Sequence, residues 1–485
     1  PWEGYELPAH GKGVWAPSLR FHAGWFYVYF ASPDEGVYMS RTRDPFGTWS
    51  PLVCVKRTIG WIDPCPFWDD DGSAYLVNAF ANSRIGFKSV LRLNRMKPDG
   101  TEVLAEGRFI FDGQDCHLTM EGPKMYKRNG WYYIFAPAGG VKQGWQTVLR
   151  SRQVWGPYED RIVLHQGNSA VNGPHQGGWV ETESGESWFL HFQDREAYGR
   201  IAHLQPMHWH FDWPSIGVDV NNDGIGEPVA SHAIPVPGAE AVPVAIQASD
   251  PFAAGRPGLA WQWQANPRAD WLAPQAVDGR LGLMAFPFPP VEQPNLADLP
   301  HVLSQKFPAP AFRVETWVEL HAAPVGTVAP GGALAPGSRE NDSGSREGDS
   351  GVSAGLVVLG ADFAGLALRA RGGTWELVRR DGGIRWDGRA KAIVDRKWST
   401  DTVLAVLDSP RVGLILKVRE GAICRFAWRI GDGPEQSAGP DFAAVPGLWV
   451  GAKIGLYCLA GGDWPNPARA DFGPFRVEAL PAEAR

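Results

Sequence analysis

The feature that most constrains the fold is an internal repeat in the first half of the chain. Four segments share one pattern: a proline, a stretch ending at a Gly or short turn, then a burst of aromatic and β-branched residues. They are WAPSLRFHAGWFYVYF from Trp15, DPCPFWDDDGSAYLVNAF from Asp63, EGPKMYKRNGWYYIFAPA from Glu121 and GPHQGGWVETESGESWFLHF from Gly173. The Asn129-Gly130 and Asp71-Gly72 pairs are strong turn signals, so each segment reads as a β-hairpin. Runs such as Trp25-Phe26-Tyr27-Val28 and Trp131-Tyr132-Tyr133-Ile134 suit strands buried on both faces. The phrases DPFGTWSP from Asp44 and SRQVWGPYED from Ser151 read as turns that close two of the units. Anchors at Pro17, Pro64, Pro123 and Pro174 lie about 47, 59 and 51 residues apart, somewhat above the roughly 40 to 50 of a propeller blade. The expected fold of this half is therefore an all-β propeller with about four blades present. A propeller carries its ligand site on the axis, where each innermost strand begins. Those positions are expected at Trp15-Ala16, Ile62-Asp63, Met120-Glu121 and Pro174-His175, so two of the four blades send a carboxyl group to one place.

Composition narrows the function classes. A chain of 485 residues exceeds the roughly 250 to 300 at which one core stops growing, so two domains are expected. With 46 Lys+Arg against 53 Asp+Glu, the net charge of -7 lacks the basic footprint of a nucleic-acid binder. No run of about 18 apolar residues occurs, so no membrane span is expected. The odd five cysteines contain no C-x-x-C pair and read as buried thiols. The 12 His form no H-E-x-x-H, which disfavours a metal-dependent hydrolase. The 23 Trp offer flat faces of the kind sugars stack on, although Trp is also ordinary core material.

Two carboxylates facing one channel suit glycoside hydrolysis, which needs an acid to protonate the leaving oxygen and a base to activate water. The structural alternative is that Asp63 caps a turn and Glu121 pairs with an Arg. The segments VWAPSLRFHAGWFYVYF, IDPCPFWDDDGSAYLVNAF, MEGPKMYKRNGWYYIFAPAGG, GPHQG and YGRIAHLQPMHW, in that order, resemble glycoside hydrolase family 43. Its members are the five-bladed β-propeller β-xylosidases and α-L-arabinofuranosidases. The resemblance implies that Glu121, in E-G-P, is the general acid, and that Asp63, in I-D-P, orients it and keeps its pKa raised. A negative charge a few Å away disfavours ionisation of the acid, in agreement with that role. By the same resemblance Arg200 reaches into the sugar subsite, where a guanidinium can fork onto two hydroxyls. His175 is implied in the central channel, near a calcium held directly or through water, and Trp15 and Phe80 are implied as subsite walls. No cofactor is required beyond that possible calcium.

One departure is marked. The family takes its general base from a first-blade Asp in a phrase such as D-P-D or Y-P-D, and none precedes Trp15. The expectation is that roughly one blade lies upstream of Pro1 and that the base is not found in this chain. Asp34, Asp115 and Asp194 are available but sit in no matching motif.

The propeller is expected over residues 1–226, with a Pro-rich linker at 227–251. Asp219, Asn221, Asp223 and Gly224 imitate the start of an EF-hand loop, yet its closing position holds Ala230, so an Asx-rich turn is the better reading. From 252 to 485, alternating runs such as FRVETWVEL, SAGLVVLG and VGLILKVRE describe a C-terminal antiparallel β-sandwich, with a mobile polar loop at 323–351. The pieces GLAWQWQANP, LSQKFPAPAFRVETWVEL and WVGAKIGLYC resemble the concanavalin A-like sandwich that follows the propeller in many β-xylosidases of that family.

The expected function is an exo-acting, inverting glycoside hydrolase that releases xylose or arabinofuranose from hemicellulose oligosaccharides, including xylan fragments. Acid and base would stand about 6.5 to 9.5 Å apart. The competing expectation is a non-catalytic carbohydrate-binding propeller that keeps the pocket, the acid and the arginine but has no base. The expected partner is an oligosaccharide, with neither nucleic acid nor membrane.

Overall fold

The computed structural model describes residues 7–236, 238–240, 248–288, 295–322, 351–371, 374–388, 392–461 and 468–480. The loop expected to be mobile at 323–351 lies outside the described residues except for Gly351, and so does part of the expected linker. By compactness the chain divides into one unit built on residues 11–195 and 200–242 and another built on 196–199 and 243–485.

The first unit holds four antiparallel sheets, each a four-stranded meander. The first comprises β1 (Ser18–His22), β2 (Trp25–Ser32), β3 (Gly36–Thr42) and β4 (Val53–Arg57). The second comprises β5 (Trp61–Trp68), β6 (Ala74–Phe80), β7 (Val90–Met96) and β8 (Val103–Asp112). The third comprises β9 (Lys124–Arg128), β10 (Trp131–Ala138), β11 (Trp145–Ser151) and β12 (Glu159–Leu164). The fourth comprises β13 (His175–Glu181), β14 (Ser187–Asp194), β15 (Arg200–His210) and β16 (Trp213–Ile216). Burial of apolar faces between neighbouring blades holds them together. Tyr27, Tyr29, Val37 and Met39 pack on Leu76 and Met96, Val77 and Leu93 join Ile134 and Leu149, and Tyr133 and Phe135 meet Phe189 and Met207.

Three details differ from the expectations. Tyr27 and Tyr29 are buried, but Phe26 and Val28 are only half-buried, because they share the other face of their sheet with Leu19 and Phe21, which are 55% and 63% exposed. Val180 and Leu190 of the fourth blade are also exposed. The phrases at Asp44 and Ser151 lie inside blades, between β3 and β4 and between β11 and β12, rather than at blade ends.

The third difference is the frame of the repeat. Ile62 pairs with Ala79 and Cys65 with Val77 across a bulge, and His175 pairs with Phe192 and Gly178 with Leu190 across the same kind of bulge. In the third blade the Glu121 amide donates to the Pro137 carbonyl and Lys124 pairs with Phe135; in the first, the Trp15 amide donates to Ala31 and Ser18 pairs with Tyr29. Trp15, Ile62, Glu121 and His175 are therefore equivalent, followed by Ala16, Asp63, Gly122 and Gln176. The fourth unit is anchored by Gly177, not Pro174, and the paired positions are Glu121-Gly122 and His175-Gln176 rather than Met120-Glu121 and Pro174-His175. Gly177 stands where the others have proline because a Cβ there would fall 2.0 Å from the Phe189 ring.

The second unit is a β-sandwich. One sheet runs, in spatial order, from Gln262–Trp263 through Val302–Lys306, Lys453–Gly461, Val352–Leu359, Asp362–Arg371 and Thr374–Asp387 to Ala392–Leu407. The other contains Leu281–Met284, Arg469–Phe472, Phe312–His321, Arg411–Arg419 and Ile423–Arg429. Leu356, Leu366 and Leu456 of the first sheet meet Val314, Leu416 and Phe426 of the second in one core, as the alternation requires. The first sheet is buried on its other face as well, by Phe363, Val378 and Tyr457. One pairing, Phe286–Phe288 with Lys453–Gly461, is parallel in an otherwise antiparallel sandwich.

Cys65, Cys424 and Cys458 are buried, but Cys54 is half-buried and Cys116 exposed, and all five are free. The loop after Gly217 is held by Asx turns: the Asp219 carboxylate accepts the Asp223 and Gly224 amides, and Asp223 accepts that of Ile225. No helix among the described residues is long and apolar enough to cross a membrane.

Candidate active site

Innermost strands in a propeller converge at the axis, so residues at equivalent positions of different blades meet although they lie far apart in sequence. Glu121 and His175, both first in the frame, meet directly: His175 Nε2 lies 2.7 Å from Glu121 Oε1. The imidazole is buried, while the Glu121 side chain keeps 35% exposure. Asp63, one position further on, turns its carboxylate under the third blade, where Oδ2 accepts the Gly122 amide at 2.7 Å. Gln176, at the position equivalent to Asp63, covers Gly122 so closely that a Cβ there would lie 2.8 Å from its Oε1. Glu121 and Asp63 thus stand at the same end of the propeller.

The local backbone explains this aim. Asp63, Gly122 and Gln176 have φ of 52°, 61° and 50°, the left-handed region that most side chains avoid. Such a turn at the start of a strand redirects the side chain out of the pleat, and strain of this kind concentrates at functional sites.

Electrostatics separates the two acids. Asp63 is buried, and its pKa is pushed above the usual carboxylate range, first by burial and then by Glu121; Lys124, the Gly122 amide and the Gln176 side chain oppose the rise. Lys124 is itself buried, donating to the Gly122 carbonyl at 3.3 Å, and burial lowers its pKa. Behind it, Arg20 Nη2 reaches Cys65 Sγ at 3.2 Å and its guanidinium lies 4.7 Å from the Tyr126 ring centre.

Arg200 is exposed, with its guanidinium 4.7 Å over Phe192, whose ring lies 5.7 Å from that of His175. The Phe192 ring thus stands as a common neighbour of Arg200 and His175. Trp15 packs beside Ile62 and Met120, with Arg84 5.0 Å over its ring. Phe80 is buried, its ring in contact with those of Trp61, Phe87 and Phe109, which leaves it a supporting position in the fold. Of the spare aspartates, Asp34 is gripped by Arg84 through both oxygens, Asp115 is exposed, and Asp194 stands opposite Arg200 in the β14–β15 register.

A calcium at His175 would be held largely through water. Calcium takes six to eight oxygen ligands, whereas no three His, Cys, Asp or Glu residues gather to hold a metal among the described residues. The buried His175 Nδ1, with no hydrogen-bond partner, suits a water that donates to it. Such an arrangement puts the imidazole proton on Nε2, facing Glu121 Oε1 and leaving Oε2 for a substrate.

The sequence alone missed Gln176, Lys124 and the Gly122 amide. An amide side chain and a backbone N–H carry no titration signature, and Lys124 reads as an ordinary strand residue. The signal that finds Gln176 is its place in the repeat, one residue before the glycine that replaces proline.

Residues 2–214 match the family described as Glycosyl hydrolases family 43, and residues 249–329 match the Beta xylosidase C-terminal Concanavalin A-like domain. A putative beta-xylosidase of Xylanibacter ruminicola is 48% identical over 286 residues, covering 56% of this chain and 52% of that protein. A beta-xylosidase of Formosa agariphila is 32% identical over 289 residues, covering 54% of this chain and 48% of that protein. The chain thus spans about half the length of the curated relatives it matches. The solved xylan beta-1,4-xylosidase from Bacillus halodurans C-125 superposes with a TM-score of 0.74 at 20% identity, covering 98% of this chain and 89% of that one, a likeness of fold.

Proposed function

We propose that the protein is an exo-acting, inverting glycoside hydrolase of hemicellulose, on the premise of the match of residues 2–214 to glycosyl hydrolases family 43. It releases terminal xylose or arabinofuranose. The observation that carries this reading is the Glu121, Asp63 and His175 cluster at the converging strand starts. Glu121 is the acid: its partial exposure lets one oxygen face a sugar, while His175 fixes the other by a 2.7 Å hydrogen bond. Asp63 is out of contact with solvent and accepts the amide next to Glu121, which suits a group that orients the acid rather than attacks. Arg200, exposed over the Phe192 ring that neighbours His175, recognises sugar hydroxyls. The names of relatives support the substrate class: besides the two beta-xylosidases, a non-reducing end alpha-L-arabinofuranosidase of Bacteroides ovatus is 28% identical over 225 residues.

A second reading, binding without turnover, is favoured by the state of Asp34, a spare aspartate already committed to Arg84. The test is hydrolysis of aryl β-xyloside and aryl α-arabinofuranoside with activated leaving groups by the chain as it stands. Turnover that an Asp→Asn change at Asp34, Asp115 or Asp194 abolishes supports the hydrolase and names both base and sugar. Sugar binding without turnover supports the second reading.

A further inference from the structure

On the outer face of the second sheet of the sandwich we propose a binding site for a sugar acid, a hexuronate that offers a carboxylate at one end and hydroxyls at the other. Binding there does not depend on turnover at Glu121.

The register defines this face. Val314, Leu416 and Phe426 lie in the core, so Glu315, Trp317, Gly413 and Arg429, an odd number of residues away along the same strands, face outward. Trp317 pairs with Gly413 and Gly413 with Arg429. Two glycines make room on the face. A Cβ at Gly473 would fall 2.0 Å from Trp317 Nε1, so the indole lies against that residue. A Cβ at Gly413 would fall 3.0 Å from Arg429 Cγ, so the Arg429 side chain crosses the middle strand there and reaches Glu315. What stays open is a cavity of about 450 Å³, within the roughly 300 to 1,000 Å³ of small-molecule sites.

The charges that line it are unevenly paired. Arg429 and Arg313 both bind Glu315 and neutralise it. Arg411 and Arg476 are not engaged in this way. The Arg411 guanidinium stacks 3.9 Å from the centre of the Trp317 ring, and its carboxylate neighbour, Glu319, stands 3.9 Å away, beyond hydrogen-bond distance. Stacking holds the planar fork in place, ready to meet a carboxylate with two parallel N–H groups. Arg280, 5.7 Å from the same ring, adds positive charge. Arg476 is exposed beside Glu315 in the register and makes no ion pair among the described residues.

The far end of the cavity has the opposite character. Arg476 is level with Glu315, and Arg411 with Glu319. Ser409 precedes the strand of Arg411 and Asp432 follows that of Arg429, so both lie at the end away from Arg476. Asp432 is exposed, and a carboxylate there accepts hydroxyl protons but repels an inorganic anion. A neutral sugar would leave the guanidiniums unmatched. A sugar acid satisfies both ends, its carboxylate on Arg411 and Arg476 and its hydroxyls on Asp432 and Ser409.

The test is titration calorimetry on the full chain with four probes: glucuronate, a xylo-oligosaccharide carrying one glucuronate residue, the matching neutral xylo-oligosaccharide, and sulfate. Both glucuronate ligands bind, and salt weakens them. Arg476→Gln and Arg411→Gln each weaken that binding by about tenfold or more, and Asp432→Asn weakens it by about threefold. Circular dichroism checks the fold, and Arg476→Gln, at an exposed residue without an ion pair, keeps the test sound if Arg411→Gln is unstable. Tighter binding of the oligosaccharide than of free glucuronate names a side residue of a hemicellulose chain as the ligand; equal binding names the free acid. Three results overturn the proposal: no glucuronate binding, glucuronate binding that survives both arginine variants, or equal binding of the neutral oligosaccharide that the same variants weaken. Sulfate bound as tightly as glucuronate and indifferent to Asp432→Asn overturns it too, by making the cavity a general anion site. Absence of aryl glycoside turnover bears on the proposed function instead and leaves these titrations unaltered.

Discussion

At the scale of single residues, the site separates two acids that the sequence presents as near equals. On the proposed function, Glu121→Gln removes the proposed proton donor and keeps the contact with His175, so hydrolysis of substrates with poor leaving groups falls by about 10²- to 10⁴-fold while activated aryl glycosides lose far less. Comparison of kcat across a leaving-group series checks this; a uniform loss would point to distortion. Asp63 makes a prediction about stability. Its pKa is raised by burial and by Glu121, so its contribution to stability is fully present below the usual carboxylate range and is lost as pH climbs through the raised value. Asp63→Asn, neutral throughout, melts a few degrees above the parent near about pH 7.5 and gains little near about pH 4. Thermal unfolding at the two pH values is the measurement, and an equal shift at both would show that Asp63 carries no charge in the fold.

At the scale of elements, the bulged starts of β5 and β13 turn a strand into a platform for chemistry. Gly177→Ala would drive a methyl into the Phe189 ring and destabilise the first unit by about 1–3 kcal/mol, read by urea unfolding. The repeat and its hairpins were legible in the sequence, because turn dipeptides and aromatic runs are local signals, and the repeat placed Asp63 and Glu121 near strand starts, where the structure holds them. The frame of the fourth unit was not. Gly and Pro satisfy that anchor for different reasons, the one by lacking a side chain under Phe189 and the other by its fixed backbone, and Pro174 lay close enough to mislead. Phe80 shows the same limit: an aromatic residue at a strand end is equally fit for a subsite wall or a core, and only its three ring neighbours decide. In the sandwich, alternation announced strands but not the buried pairing of Arg380 and Arg369 with Asp401, which ties together the three consecutive strands Asp362–Arg371, Thr374–Asp387 and Ala392–Leu407. Arg380→Met would take away one of the two guanidiniums on that carboxylate, at a cost of about 3–5 kcal/mol read by denaturant unfolding.

At the scale of the whole molecule, a net charge of -7 keeps copies apart, while the apolar residues Leu19, Phe21, Val180 and Leu190 of the first and fourth blades draw apolar surfaces together. Replacing Leu19 and Phe21 with Ser raises the monomer fraction in light scattering at high salt, where charge repulsion is screened; an unchanged fraction would clear these residues of any part in association. The four blade starts have a further consequence. They form a set of equivalent sockets, filled by Trp, Ile, Glu and His in one ring and by Ala, Asp, Gly and Gln in the next, and all are held by the same hydrogen-bonded scaffold. A fold built this way can be given new chemistry by refitting single sockets wherever the neighbouring blade leaves room, which it does not at Gly122 under Gln176. Here Glu121 and Asp63 occupy neighbouring rings in neighbouring blades, so a slip of one residue in either strand would part the proposed acid from its proposed orienter.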